Sequence, residues 1–134
     1  MTRKMISVYY RQANGSQPAF DFIDSLPPDH QDAIDWKIDL LNGLPIDAPP
    51  LPFPHSSQVQ GQLRELRCHF GDIQYRVFYQ RSDNFFILLH AFRKTTTDLP
   101  PAEIQVAQAS WADFEARMNA VPRVPPRAMG SDAP

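Results

Sequence analysis

Cysteine is nearly absent from the sequence, which contains only Cys68. A single thiol excludes an internal disulfide framework and a cysteine-rich zinc site, and it favours a reducing compartment. Long apolar runs are also absent, because the longest, at 85–89, is far shorter than the roughly 20 residues of a membrane span. The basic N-terminus is not followed by the long apolar segment of a signal peptide. We therefore expect a cytoplasmic protein without a membrane partner.

A strong charge imbalance is absent too, since the net charge is −2 and the isoelectric point is about 6.0. The overall charge therefore gives no support for a nucleic-acid partner. The basic residues are concentrated in the middle of the chain, where residues 60–95 contain six Arg and Lys against three Asp and Glu. This segment is predicted either to present a positive patch to an anionic ligand or to form an ordinary solvated strand surface.

The first part of the chain predicts one strand and two helices. β-Branched and aromatic residues at 6–10 indicate a strand, and Ser16 is the expected N-cap of a short helix. A second helix is predicted over 29–42, with Gly43 as a left-handed C-cap. Five prolines at 45–54 then predict an irregular connection. The apolar positions of the second helix are Ile34, Ile38 and Leu41.

The second part predicts an antiparallel meander followed by a helix. The strands are expected at 63–69, 75–81 and 85–93, and the helix at 100–118. The order β-α-α-β-β-β-α is an α+β fold, with a small, mostly antiparallel sheet packed by an αα-hairpin and a C-terminal helix. The domain is predicted over 1–120, with a proline-rich, disordered tail at 121–134. The residues expected on the covered side of the sheet are Ile34, Ile38, Ile104, Trp111 and Phe114.

The residue pattern predicts no metal site or cofactor. The four histidines are scattered, and no histidine pair or acid–histidine cluster has metal-ligand spacing. A glycine-rich phosphate loop and a nucleophile elbow are also missing. Cys68 is expected to be a small buried hydrophobic residue.

Cations occur inside each predicted strand of the meander. Arg67 and Arg76 lie in the first two strands, and Lys94 ends the third on the same face as His90. Such side chains cost burial energy unless they are paired or face a solvent cleft. Two interpretations remain open: an anion-binding face, or a salt-bridged sheet in which Glu65 neutralises Arg76 or Arg67.

Four segments of the chain occur in a characteristic order and spacing. They are LRELR at 63–67, YRVFY at 75–79, LLHAFRKT at 88–95 and PPAEI at 100–104. Together they resemble the HigB-type, phage-derived branch of the RelE/ParE toxin superfamily, over residues 5–118. The chain differs from the family's usual pattern in Ala91, in Arg93 and in its acidic balance.

This resemblance implies a RelE-like fold and the toxin of a type II toxin–antitoxin system. Such toxins are usually ribosome-associated endoribonucleases that cleave mRNA without a metal or cofactor, by attack of the RNA 2′-hydroxyl on its own phosphate. A helix-turn-helix antitoxin of the HigA type neutralises them. The alternative is a non-catalytic or ParE-like toxin, or a phage remnant, that acts only by binding another protein.

The resemblance also implies roles for four catalytic candidates. Arg67 and Arg76 are expected to clamp phosphate, since arginine cannot act as a base near neutral pH. Lys94 is expected to stabilise charge or move a proton. His90 has the chemistry of an acid–base catalyst, although a histidine in so apolar a strand is often a core residue. The variant Arg76→Ala is expected to lose cleavage while it keeps its fold.

Four further residues are substrate-binding candidates. Glu65 is a possible base or an ion-pair partner, and Arg93 is a basic residue at the end of the last strand. Tyr75 and Phe78 have rings that would stack on RNA bases, unless they belong to the core, as most strand aromatics do.

Overall fold

The computed structural model describes residues 3–120, and the tail predicted at 121–134 lies outside them. The predicted α+β class is confirmed. None of the described helices is long and apolar enough to cross a membrane. In chain order, the elements are β1 (Ile6–Tyr9), α1 (Pro18–Asp24), α2 (Pro28–Asn42), β2 (Ser56–Gln60), β3 (Leu63–Phe70), β4 (Ile73–Ser82), β5 (Phe85–Lys94) and α3 (Pro101–Met118).

The strands form one sheet in the order β1-β5-β4-β3-β2. The predicted meander of β3, β4 and β5 is confirmed, and β1 pairs with β5 in parallel. The edge strand β2, which pairs antiparallel with β3 and has the sequence SSQVQ, was not predicted from the sequence. Its polar residues lack the apolar alternation of a strand with a buried face, so the pattern did not distinguish it from the preceding connection.

The core lies on both faces of the sheet, so the expectation that the apolar residues of α2 and α3 lie on the same covered side is wrong. Ile34 and Ile38 of α2 pack with Leu66 and Val77 on one face. On the other face, Phe114 of α3 packs with apolar residues of β4, β5 and β1. The nearly continuous apolar sequence of β5 reflects this double coverage, because its alternate side chains enter both cores.

Two predicted helix caps are wrong. Gln17, rather than Ser16, precedes α1, and the Ser16 hydroxyl donates instead to the side-chain oxygen of Gln12 at 2.6 Å. Pro18 occupies the first turn of α1 and has no N–H, which removes one of the donors that a cap would satisfy. Gly43 ends α2 with φ −87°, a right-handed conformation that does not require glycine.

Phe114 should be the main apolar anchor of α3, because its side chain is almost fully buried whereas Trp111 is only partly buried. We expect Phe114→Ala to lower the free energy of unfolding by about 3–5 kcal/mol, and Trp111→Ala to lower it by less. Urea unfolding of both variants measures the two losses. A larger loss for Trp111→Ala would contradict this assignment.

Candidate functional site

Six of the predicted site residues lie on the sheet face that α3 packs against. The register places Arg67 opposite Arg76 and places Arg76 opposite Phe92, which belongs to the core under α3. Alternation along each strand then fixes the face of the other candidates. The candidates on this face are Glu65, Arg67, Arg76, Phe78, His90 and Lys94.

Glu65, Arg67 and Arg76 form one charged group, here named the arginine cluster. The Arg76 Nε lies 2.6 Å from the Glu65 Oε1, and both residues are almost fully buried. Arg67 approaches the same carboxylate oxygen less closely, at 3.9 Å. Ser57 donates to the second carboxylate oxygen at 3.0 Å. Of the two interpretations left open by the sequence, the ion pair therefore describes Arg76.

The charges of the arginine cluster do not cancel. Burial lowers the pKa of Arg76 from its usual value, and the nearby Glu65 carboxylate opposes that change. A guanidinium group nevertheless stays charged in proteins, so one carboxylate faces two cations. Because Arg76 is buried, the excess positive charge is accessible on Arg67, whose side chain is 31% exposed.

His90 is held by a carboxylate from α3. Its Nε2 makes a very short contact with the Glu103 Oε2, and its ring stacks on Phe92 at 5.5 Å between centroids. The His90 side chain is 17% exposed, so part of the ring faces solvent. A histidine oriented by a carboxylate is a common arrangement for moving protons.

The position of His90 depends on a β-bulge. Phe78 pairs with His90 but Tyr79 pairs with Leu88, so β5 contains an extra residue, Leu89, at this point. Leu89 packs in the core beneath α3, and its neighbour His90 contacts Glu103 of the same helix. Strict alternation would place the two side chains on opposite faces, and a bulge re-aims them.

Glu103 was not among the candidates from sequence analysis. It lies in the first turn of α3, where the positive end of the helix dipole stabilises a carboxylate. The PPAEI segment was the only signal for Glu103 in the sequence. Its contact with His90 joins α3 to β5, so it could be recognised only from the three-dimensional structure.

Lys94 lies on the shared face, where it pairs with Gln74 of β4, two residues before Arg76. Its ammonium group donates to the carbonyls of Thr96 and Thr97, at 2.6 and 2.9 Å. It lies four positions after His90 along β5, which corresponds to about 13 Å. A groove of about 450 Å³ beside it is lined by Asp72 and Gln74 among others.

Three candidates are not brought to this site. Tyr75 is buried on the opposite face, where its hydroxyl lies 2.8 Å from the Nδ1 of His30. Phe78 is completely buried beneath α3. Arg93 is exposed, but it pairs with Tyr75 and so lies on the opposite face. Burial leaves neither aromatic ring a free face for an RNA base.

Cys68 is buried, as predicted, and burial raises the pKa of its thiol to about 12. A thiol in this state is a poor nucleophile. Within residues 3–120, no three His, Cys, Asp or Glu side chains are grouped so that they would hold a metal ion. Among the described residues, the groups of this site that can take part in chemistry are therefore an oriented histidine and an excess of positive charge, both on one face of the sheet.

A search of curated proteins found no match for this chain. A family model described as phage-derived protein Gp49-like (DUF891) matches residues 21–112. The matched segment extends from α1 into α3 and includes the arginine cluster, His90 and Glu103. Since it covers more than half of the sequence, the chain belongs to the phage-derived Gp49-like family.

Proposed function

We propose that the protein is the toxin of a type II toxin–antitoxin system and a metal-independent endoribonuclease that cleaves mRNA on the ribosome. Membership of the Gp49-like family, which is associated with toxin–antitoxin systems, supports the toxin role. The observation that carries the nuclease role is the placement of the His90–Glu103 pair and the accessible cation of Arg67 on one sheet face.

The proposed reaction is attack of an RNA 2′-hydroxyl on the adjacent phosphorus. A bond forms between the 2′-oxygen and phosphorus, and the bond from phosphorus to the 5′-oxygen breaks. The 2′-hydroxyl loses its proton to a base, and the leaving 5′-oxygen takes up a proton from an acid. The products are a 2′,3′-cyclic phosphate and a 5′-hydroxyl, so no metal or cofactor enters the balance.

Each residue of the site has a role in this proposal. His90 transfers a proton, and Glu103 orients its ring. Arg67 binds the phosphate and stabilises its developing charge. Arg76 positions Glu65, which in turn limits the movement of Arg67. Lys94 contacts the RNA backbone farther along the face.

The proposed partner is a small helix-turn-helix antitoxin of the HigA type. A toxin needs its active face covered while it is inactive, and acidic side chains would complement the excess charge at Arg67. Co-expression with a small helix-turn-helix protein encoded beside its gene, followed by purification, tests this. Capture of a stable complex supports the proposal, whereas growth unaffected by the chain alone, without a captured partner, contradicts it.

Cleavage is tested by inducing the protein and mapping new RNA ends, and then by incubating purified protein with mRNA on ribosomes. We expect new 5′-hydroxyl ends with matching cyclic phosphates. The control is Arg81→Gln, which removes an exposed arginine at the far end of β4, opposite Phe86. Growth inhibition without cleavage would contradict the nuclease proposal and favour the binding-only alternative.

A further inference from the structure

The most exposed large apolar side chains of residues 3–120 are two aromatic rings. Phe53 is 68% exposed and Trp36 is 57% exposed. Aromatic side chains are usually buried. Two rings with this much exposed surface on a small protein therefore indicate a binding surface. They lie in one continuous surface, here named the aromatic–cation strip, which consists of Trp36, Lys37, Phe53, His55 and Arg67.

Direct contacts join the members of the strip. The Lys37 ammonium lies 5.6 Å from the centroid of the Trp36 ring and 2.8 Å from the His55 Nδ1. The His55 carbonyl accepts a hydrogen bond from the Arg67 N–H at 2.8 Å. The Arg67 guanidinium in turn lies over the Phe53 ring, at 4.9 Å from its centroid.

The strip crosses the edge of the sheet and ends at the arginine cluster. Lys37 belongs to α2, which packs on the face opposite to α3. His55 immediately precedes the edge strand β2, and Arg67 projects onto the α3 face. A ligand that follows the strip therefore arrives at the proposed cleavage site, since Arg67 belongs to both.

The two cations of the strip are poorly neutralised. Lys37 has no ion pair with a carboxylate in the part of the chain that the structure describes, and Arg67 has only its 3.9 Å contact with Glu65. Burial lowers the pKa of Lys37, and the positive charge of Arg67 lowers it further. Asp32 and Asp39 each lie one turn of α2 from Trp36, and their carboxylates would repel a phosphate. A phosphate beside the Trp36 ring is therefore favoured on the side of Lys37.

We infer that the aromatic–cation strip is the subsite for single-stranded RNA next to the cleaved bond, with bases stacked on Phe53 and Trp36 and phosphates held by Arg67 and Lys37. Alternating rings and cations match the alternating bases and phosphates of a single strand. This deepens the proposed nuclease function, and it supplies the stacking surface that the buried Tyr75 and Phe78 do not.

Binding is measured with a single-stranded RNA of about ten nucleotides, in which 2′-O-methyl groups prevent cleavage. The protein carries Trp111→Phe, which leaves Trp36 as its only tryptophan. We expect saturable quenching of Trp36 fluorescence. By fluorescence anisotropy, Phe53→Ala and Trp36→Ala should each raise the Kd about 5- to 100-fold. Lys37→Gln should reduce the slope of log K against log salt by about 0.7.

The matched control is Phe20→Ala, which removes a 41% exposed aromatic ring that contacts Tyr9, outside the strip. It should leave the Kd for RNA unchanged. Absence of saturable RNA binding by the parent protein would overturn the inference. Unchanged affinity in both ring variants, or loss of antitoxin binding instead of RNA binding, would also overturn it.

Cleavage of mRNA on ribosomes by the same proteins separates this inference from the proposed function. Normal cleavage by the parent with RNA binding insensitive to both rings means that only the subsite is wrong. Ring-dependent RNA binding without any cleavage means that the strip is correct and the nuclease proposal is wrong.

Discussion

Arg76→Ala is expected to lower the free energy of unfolding by about 3–5 kcal/mol, because it leaves the buried Glu65 carboxylate without its close partner. Arg67, at 3.9 Å, is too distant to replace the contact at 2.6 Å. The structure thus changes the expectation that this variant keeps its fold. Chemical denaturation followed by circular dichroism measures the loss.

The double variant Glu65→Leu/Arg76→Met tests whether the ion pair is the cause. Replacing both charges by apolar side chains removes the unpaired carboxylate, so most of the stability should return. A double variant as unstable as Arg76→Ala would show that other contacts of Arg76, such as its 3.0 Å hydrogen bond to the Tyr75 carbonyl, are responsible.

Arg67→Ala is the matched variant for the phosphate-binding role. Its side chain is partly exposed, so the fold should be retained while cleavage falls by about 10²–10³, the usual cost of one charge stabiliser in a transition state. Unchanged cleavage by folded Arg67→Ala would remove the phosphate clamp from the proposed mechanism. Separating stability at Arg76 from activity at Arg67 is possible only because one arginine is buried and the other is not.

The strand meander and the long helices were predictable because each has a periodic apolar pattern. Ile34 and Ile38 at helical spacing define a face of α2, and the turn at Gly71 divides two strands as predicted. The edge strand β2 has no such pattern, since its side chains are mostly polar. Pattern alone also did not show that α2 and α3 pack on opposite faces, because either face offers apolar residues.

The site was only partly predictable for a related reason. Alternation along a strand correctly placed Glu65 and Arg67 on one face. Alternation does not show how deeply a side chain is buried. Phe78 was therefore a candidate for stacking on RNA, although it lies in the core. The Leu89 bulge has no mark in the sequence, and the contact between His90 and Glu103 joins residues on separate elements.

His90→Ala is expected to lower the rate of RNA cleavage by about 10²–10⁴, which is the usual contribution of a positioned acid or base. The His90 side chain is partly exposed at the edge of the core, so the loss of stability should be smaller than for Phe114→Ala. Single-turnover cleavage on ribosomes measures the rate, and circular dichroism checks folding.

Added imidazole distinguishes proton transfer from a structural role of the ring. If His90 moves a proton, free imidazole should partly restore cleavage by His90→Ala, because the cavity left by the ring opens to solvent at the 17% exposed edge. Glu103→Gln keeps a hydrogen-bonding side chain beside His90, so it should lower cleavage less than His90→Ala does. Full activity of folded His90→Ala would contradict the mechanism and return His90 to the core role that its apolar strand first indicated.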